Sequence, residues 1–386
     1  MRALLSVFFF ILNAAILTTA VAAAKPDGRQ PMTVAQLDEK LATARGQSDA
    51  DLAQVLSNFE LSERLDNSRL ARFAGTLLGE KSREALILLA DKSAFLAPPP
   101  AEMPADPPPD AAATRQMLVA IVNYVNTTLR QLPNLIASRQ TTGFEDRPEE
   151  DRVEATGIVS YSALPLHFVG KSLASVAFRD RKESIDKGSS KDTQGKIGGL
   201  ITTGEFGPIL STVLSDALKG RITWARWEQN ASGKVAVFHY AVPEDKSNYR
   251  VQFCCVVNSY RANGQPEMEI FNERASYQGE ITFNPADGSI LRMTLQAELP
   301  RTGLVASAGI VIDYGSVGIG GRNYICPEHS VSVLAAHIAK PEGMYSKAMY
   351  QGPAKIFLND TVFGEYRRFG SEARILTGED AQPVPQ

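Results

Sequence analysis

"GEITFNPADGSILRMTL", residues 279–295, decides the fold. Two runs of alternating apolar and polar residues flank a Pro-Ala-Asp-Gly turn. Successive side chains on a strand point to opposite faces, so Ile281 and Phe283 oppose Glu280 and Thr282. On the returning strand, Ile290, Arg292 and Thr294 oppose Leu291, Met293 and Leu295. Asp287-Gly288 supplies the turn residues of an antiparallel hairpin.

The same period of two extends outward from about residue 135. Residues 133–144, 166–185, 221–242, 249–258, 275–299, 309–327, 330–339 and 354–375 read as strands or hairpins, broken at Gly, Asn, Asp or Pro. One helix interrupts them at 207–220, with Ile209, Val213 and Leu214 apolar and Gly220 as its C-cap. Ahead of the strands, "AATRQMLVAIVNYVNTTLRQLP" (112–133) sets Leu118, Ile121, Val122, Val125, Leu129 and Leu132 on one helical face, and Pro133 stops it. Short connections favour an antiparallel, mostly up-and-down sheet. A sheet this long curves, which predicts a half-barrel with the 112–132 helix on its concave face. The fold class is α+β.

Residues 31–97 read as a small helical module. Thr33 and Gln36 stand at capping-box spacing, Ser48 caps a second helix, and two more follow before residue 97. "APPPAEMPADPPPD" (97–110) is proline-dense, so 98–111 reads as a stiff linker. The helix and sheet domain is expected over 112–376, with a disordered tail at 377–386. At the start, Arg2, an apolar run and small residues up to Ala24 have the form of a signal peptide, residues 1–24, cleaved after Ala22 or Ala24. Export to the periplasm or the outside follows, and no later segment reads as a membrane span.

A formal charge of −3 gives no basic patch for nucleic acid. Cys254, Cys255 and Cys326 are the three cysteines. Alternation puts Cys255 with the apolar residues of "YRVQFCCVV" and leaves Cys254 as a disulfide partner for Cys326; three unpaired thiols are the other reading. No nucleophile elbow or P-loop is present, and Ser184-Ile-Asp-Lys187 lacks the companion Lys-Thr-Gly. His167, His239, His329 and His337 show no metal-ligand spacing, although His329 and His337 would meet across a bend. No catalytic residue, metal or cofactor is implied. "EDRPEEDR" (145–152) reads as a solvated loop, and Trp224 and Trp227, three apart on a strand, as facing opposite sides.

"YQGEITFNPADGSILRMTLQAELP" (277–300), "FGEYRRFGSEARI" (363–375), "LSNFELSERLDNSRLARF" (56–73) and "ADKSAFLAPP" (90–99) resemble segments of a family of exported bacterial proteins to which no activity is attached. The exported helix, the long meander and the Tyr-x-Gly-x-Ile…Asp-Gly…Leu-Arg hairpin are similar to the lipoprotein-carrier (LolA-like) fold. That resemblance implies a helix-covered hollow for acyl chains. The expected function is a non-enzymatic binding protein holding a lipid or acylated ligand, such as a lipoprotein, between the 112–132 helix and the concave sheet. Leu118, Ile121, Val125, Phe238, Tyr240, Phe253 and Phe283 would line that hollow. The rival expectation is an envelope interaction or scaffold protein with a solid core, contacting a protein partner through residues 31–97.

Overall fold

The computed structural model describes residues 31–369 except 45, 76–78, 128–130, 147, 154–158, 164, 187–196, 232, 261–264, 301–302 and 342–347. The expected signal peptide, the tail at 377–386, Leu129 and Lys187 lie outside the described residues. The strands are β1 Leu135–Glu145, β2 Pro148–Val153, β3 Val159–Ala163, β4 His167–Arg179, β5 Lys182–Asp186, β6 Gly199–Leu200, β7 Arg221–Asn230 and β8 Gly233–Val242. They continue with β9 Arg250–Tyr260, β10 Pro266–Arg274, β11 Ser276–Phe283, β12 Ile290–Glu298, β13 Val305–Ile319, β14 Arg322–Pro341 and β15 Ala348–Arg368.

Ten strands form one antiparallel sheet in the order β5-β4-β1-β15-β14-β13-β12-β11-β8-β7. A three-stranded sheet β10-β9-β6 and the pair β2-β3 complete the strands. The decisive hairpin is β11-β12, with Ile281 opposite Met293. Its turn is closed by Asn284 N–H donating to Ser289 O, and Gly288 sits at φ +74°. One phase expectation changes: a bulge at Leu291 returns Ile290 to the face of Met293 and Leu295, and all three are fully buried. A bulge between Trp224 and Arg226 does the same on β7, so Trp224 and Trp227 share a face, their ring centroids 4.7 Å apart. Residues 148–153, expected as loop, pair with β3; β10 is a strand the alternation did not single out.

Helices α1 Val34–Thr43, α2 Asp49–Ser57, α3 Asn67–Ala74 and α4 Glu80–Lys92 fall in the expected helical region, and Thr33 and Gln36 form the expected capping box. Their own core gathers Leu37, Leu52, Leu56, Phe73, Leu86 and Leu89. The proline-dense stretch is tied to the sheet: Trp227 Nε1 donates to Pro107 O at 3.0 Å, and Lys234 pairs with Asp106 at 2.9 Å. α5 Ala111–Thr127 and α6 Pro208–Lys219 pack on one face of the large sheet. Ile121, Tyr124 and Val125 of α5 and Leu210, Val213 and Leu214 of α6 share a cluster with Phe238, Tyr240, Ile281, Phe283, Met293 and Ile310. No helix among the described residues is long and apolar enough to cross a membrane.

The expected Cys254–Cys326 disulfide is not formed. Cys254 is bonded to Cys255, and Cys326 is a free, buried thiol. The physical reason is placement. Cys254 stands in the small sheet opposite Ile270, whereas Cys326 stands in the large sheet opposite Gly315, inside a cluster with Leu135, Phe178 and Phe206. Pro327 does not end the strand, because a bulge at Glu328 lets β14 run through it.

Candidate functional site

Alternation along β13 sends Ile310 and Ile312 toward α5 and α6 and sends Val311 and Asp313 to the opposite face. The helices α1–α4 lie over that opposite face. Leu88, Ala94 and Phe95 meet Val311, Val331, Leu358 and Phe144 there. Between these apolar contacts runs a line of charge from β15 to β7, to which six of the seven strands contribute: Arg226, Glu280, Arg292, Asp313, His329 and Asp360, with β8 passed over.

One end of the line is an ion cluster. Arg226 holds Glu280 with two contacts of 2.6 Å and Glu228 with two more of 2.6 and 2.9 Å; Arg64, from the helical region, adds a fifth of 2.8 Å to Glu228. Burial works against the Glu228 charge, but the guanidinium groups of Arg64 and Arg226 hold its carboxyl below the usual range.

The other end centres on His329. Its Nε2 lies 2.5 Å from Asp360 Oδ1 and 3.9 Å from Asp91 Oδ1 on α4; its Nδ1 lies 3.5 Å from Asp313 Oδ2. Arg292 pairs with Asp313 and donates to Ala94 O at 2.6 Å, while Asn67 donates to Asp313 at 3.3 Å. Asp91 is 2 % exposed, and its Oδ2 accepts no hydrogen bond. Burial, with Asp360 beside it, pushes the Asp91 carboxyl well above the usual range. Burial disfavours the charged form of His329, yet hydrogen bonds to Asp313 and Asp360 win and push it up to about 10. Burial is likewise outweighed at Asp313, which Arg292 and His329 hold well below its usual range.

A second polar cluster lies on the α5 and α6 side. Glu183 of β5 meets Glu205 carboxyl to carboxyl, Arg139 of β1 reaches Glu205 at 3.5 Å, and it donates to Thr202 at 2.6 Å. Burial first, then the charge of Glu205, pushes Glu183 up to about 8. Glu183 Oε1, Glu205 Oε2 and Arg139 Nε are buried without hydrogen-bond partners.

Six of the seven residues expected to line a hollow come together: Leu118, Ile121, Val125, Phe238, Tyr240 and Phe283 share the cluster under α5 and α6. Phe253 does not join them; it packs between the small sheet and the far ends of β13 and β14, with Phe271 and Leu334. His329 and His337 do not meet, because both lie on the single strand β14. Sequence reasoning passed over Arg292, Asp313, Asp360 and Asp91. The available signal was the phase of Arg292 and Asp313, which fall opposite Met293, Leu295, Ile310 and Ile312; His329 shares the face of buried Val331 and carries no such signal. Neither a family model nor a curated protein sequence matches the chain.

Proposed function

We propose that the protein is a non-enzymatic binding protein of the bacterial envelope that works through its surface, with the space between α5 and the sheet filled as solid core. The observation that carries this reading is the packing of Phe238, Tyr240 and Phe283, each at 0–1 % exposure. Phe238 stacks on Phe283 at 5.2 Å, and Ile121 and Val125 close over them. A side chain with no accessible surface borders no space as large as a water molecule, inside or out. An acyl chain could enter only by forcing α5 off the sheet. Half-barrel curvature with α5 on its concave side, as in the lipoprotein carriers, is the architecture this proposal assumes. Export by the N-terminal leader belongs to it as well.

The contact surface in this reading lies beside the α1–α4 helices. Leu173 and Val362, 60 % and 49 % exposed, flank Gln140 on neighbouring strands, and Phe168 is 43 % exposed farther along β4. The occupant is a protein segment presenting apolar side chains to Leu173 and Val362 on either side of Gln140, since exposed apolar side chains within a polar surround are how protein partners are engaged. A photocrosslinking residue at position 173, in the producing cell, is expected to give one defined protein adduct. Val362→Asp should abolish it, and the same probe at exposed Arg322 should not form it. Lipid extraction of the purified protein with mass spectrometry should find no stoichiometric lipid. A lipid at one per chain would overturn the reading in favour of a ligand under α5.

A further inference from the structure

We propose that Asp91, His329 and Asp360 form a site for one divalent transition-metal ion, zinc being the best match, which staples α4 to β14 and β15. The three residues offer two carboxylate oxygens and one imidazole nitrogen, all within 4.8 Å of one another. Donors around a tetrahedral zinc, each at ~2.0–2.1 Å, stand about 3.3 Å apart. The observed separations from His329 Nε2, 2.5 Å to Asp360 and 3.9 Å to Asp91, bracket that spacing, so side-chain shifts of under about 1 Å would seat the ion.

Two further observations point to a cation rather than to a self-contained ion cluster. Asp91 Oδ2 is buried and accepts no hydrogen bond, so a lone pair faces no partner in a place where that is costly. Asp313 approaches the other ring nitrogen of His329, and Arg292 and Asn67 in turn hold Asp313. That is the arrangement in which a carboxylate orients a metal-bound imidazole and fixes its tautomer. The donor set suits zinc and its neighbours better than calcium or magnesium, which prefer six or more oxygens or their own waters.

The test uses untagged full-length protein stripped with a chelator and titrated with Zn²⁺, Mg²⁺ or Ca²⁺ alone. One equivalent of Zn²⁺ is expected to bind and raise the unfolding temperature, with Mg²⁺ and Ca²⁺ ineffective. His329→Gln and Asp360→Asn should abolish the rise. Asp313→Asn, which touches no metal, should weaken binding by about 10- to 100-fold. Glu183→Gln, in the other polar cluster, should bind as the parent does. Should the ligand variants fail to fold, X-ray absorption of the zinc-loaded parent decides: one imidazole among oxygen donors supports the site. Two or more imidazoles, six oxygens, or no stoichiometric zinc would overturn it and leave a protonated His329 as the clamp.

Discussion

Glu183 and Glu205 pose the sharpest question at the scale of single residues. A carboxyl pushed up to about 8 when folded, against about 4.5 when unfolded, keeps its proton in the native state while the unfolded chain has lost it. The unfolded state therefore binds fewer protons between those limits, and stability falls as pH rises from about 4.5 to 8. Glu183→Gln removes the titration but keeps the shape. The variant should lose less stability than the parent between pH 5 and pH 8, by an order of a few kcal/mol, read from urea midpoints at the two pH values. Glu228 behaves oppositely. It sits between Arg64 and Arg226, so Glu228→Gln takes the carboxylate from between two guanidinium groups and leaves Arg226 held by Glu280 alone. A loss of about 3 kcal/mol in urea unfolding at neutral pH is expected. Unlike Glu183→Gln, it should be destabilising at pH 5 as well.

The elements show which features the sequence makes legible. Helix starts were readable because a cap is local: Thr33 and Gln36 are three residues apart, and the side chain of each accepts from the other's backbone N–H. Strands were readable because their period is local too. Bulges are not, since the extra residue at Leu291 follows from the partner strand, and it alone reverses the expected face of Ile290. Cys254 and Cys326 failed for the related reason that alternation assigns a face and says nothing about which sheet carries it. The β11-β12 turn adds one constraint from outside the hairpin. A Cβ on Gly288 would come within 2.4 Å of the Ala120 backbone on α5, and its φ of +74° is costly for any branched residue. Gly288→Val should therefore lower stability by about 2 kcal/mol or more, because it strains the turn and lifts α5 together. Gly233, also at positive φ but with open space around it, provides the comparison. Gly233→Val should cost less, as measured by the urea midpoint.

Across the whole molecule, the large sheet is a divider between two chemically different layers. On the α5 and α6 side it meets chiefly rings and branched chains, with the Glu183, Glu205 and Arg139 cluster among them; on the α1–α4 side carboxylates, guanidinium groups and an imidazole run between the apolar contacts of Val311, Val331 and Leu358. The apolar layer was legible as amphipathic stripes. The charged layer was not, because its members come from positions as far apart as Arg64 and Asp360, and each reads alone as an outward polar residue. Such a layer favours docking with fixed register over mere burial, since displaced charges would stay buried without partners. It follows that the α1–α4 helices and the sheet should not unfold separately, despite the proline-dense stretch between them. Trp224 and Trp227 lie on β7, with Trp227 bonded to Pro107, so their fluorescence reports on the sheet and on that stretch. Helical circular dichroism reports chiefly on α1–α6. The two signals should give coincident urea transitions with one midpoint, as a two-state unit requires. In Glu228→Gln they should shift together rather than separate. A helical transition preceding the tryptophan transition would show instead that the charged layer is a loose contact, and that α1–α4 stand on their own core of Leu37, Leu56 and Leu86.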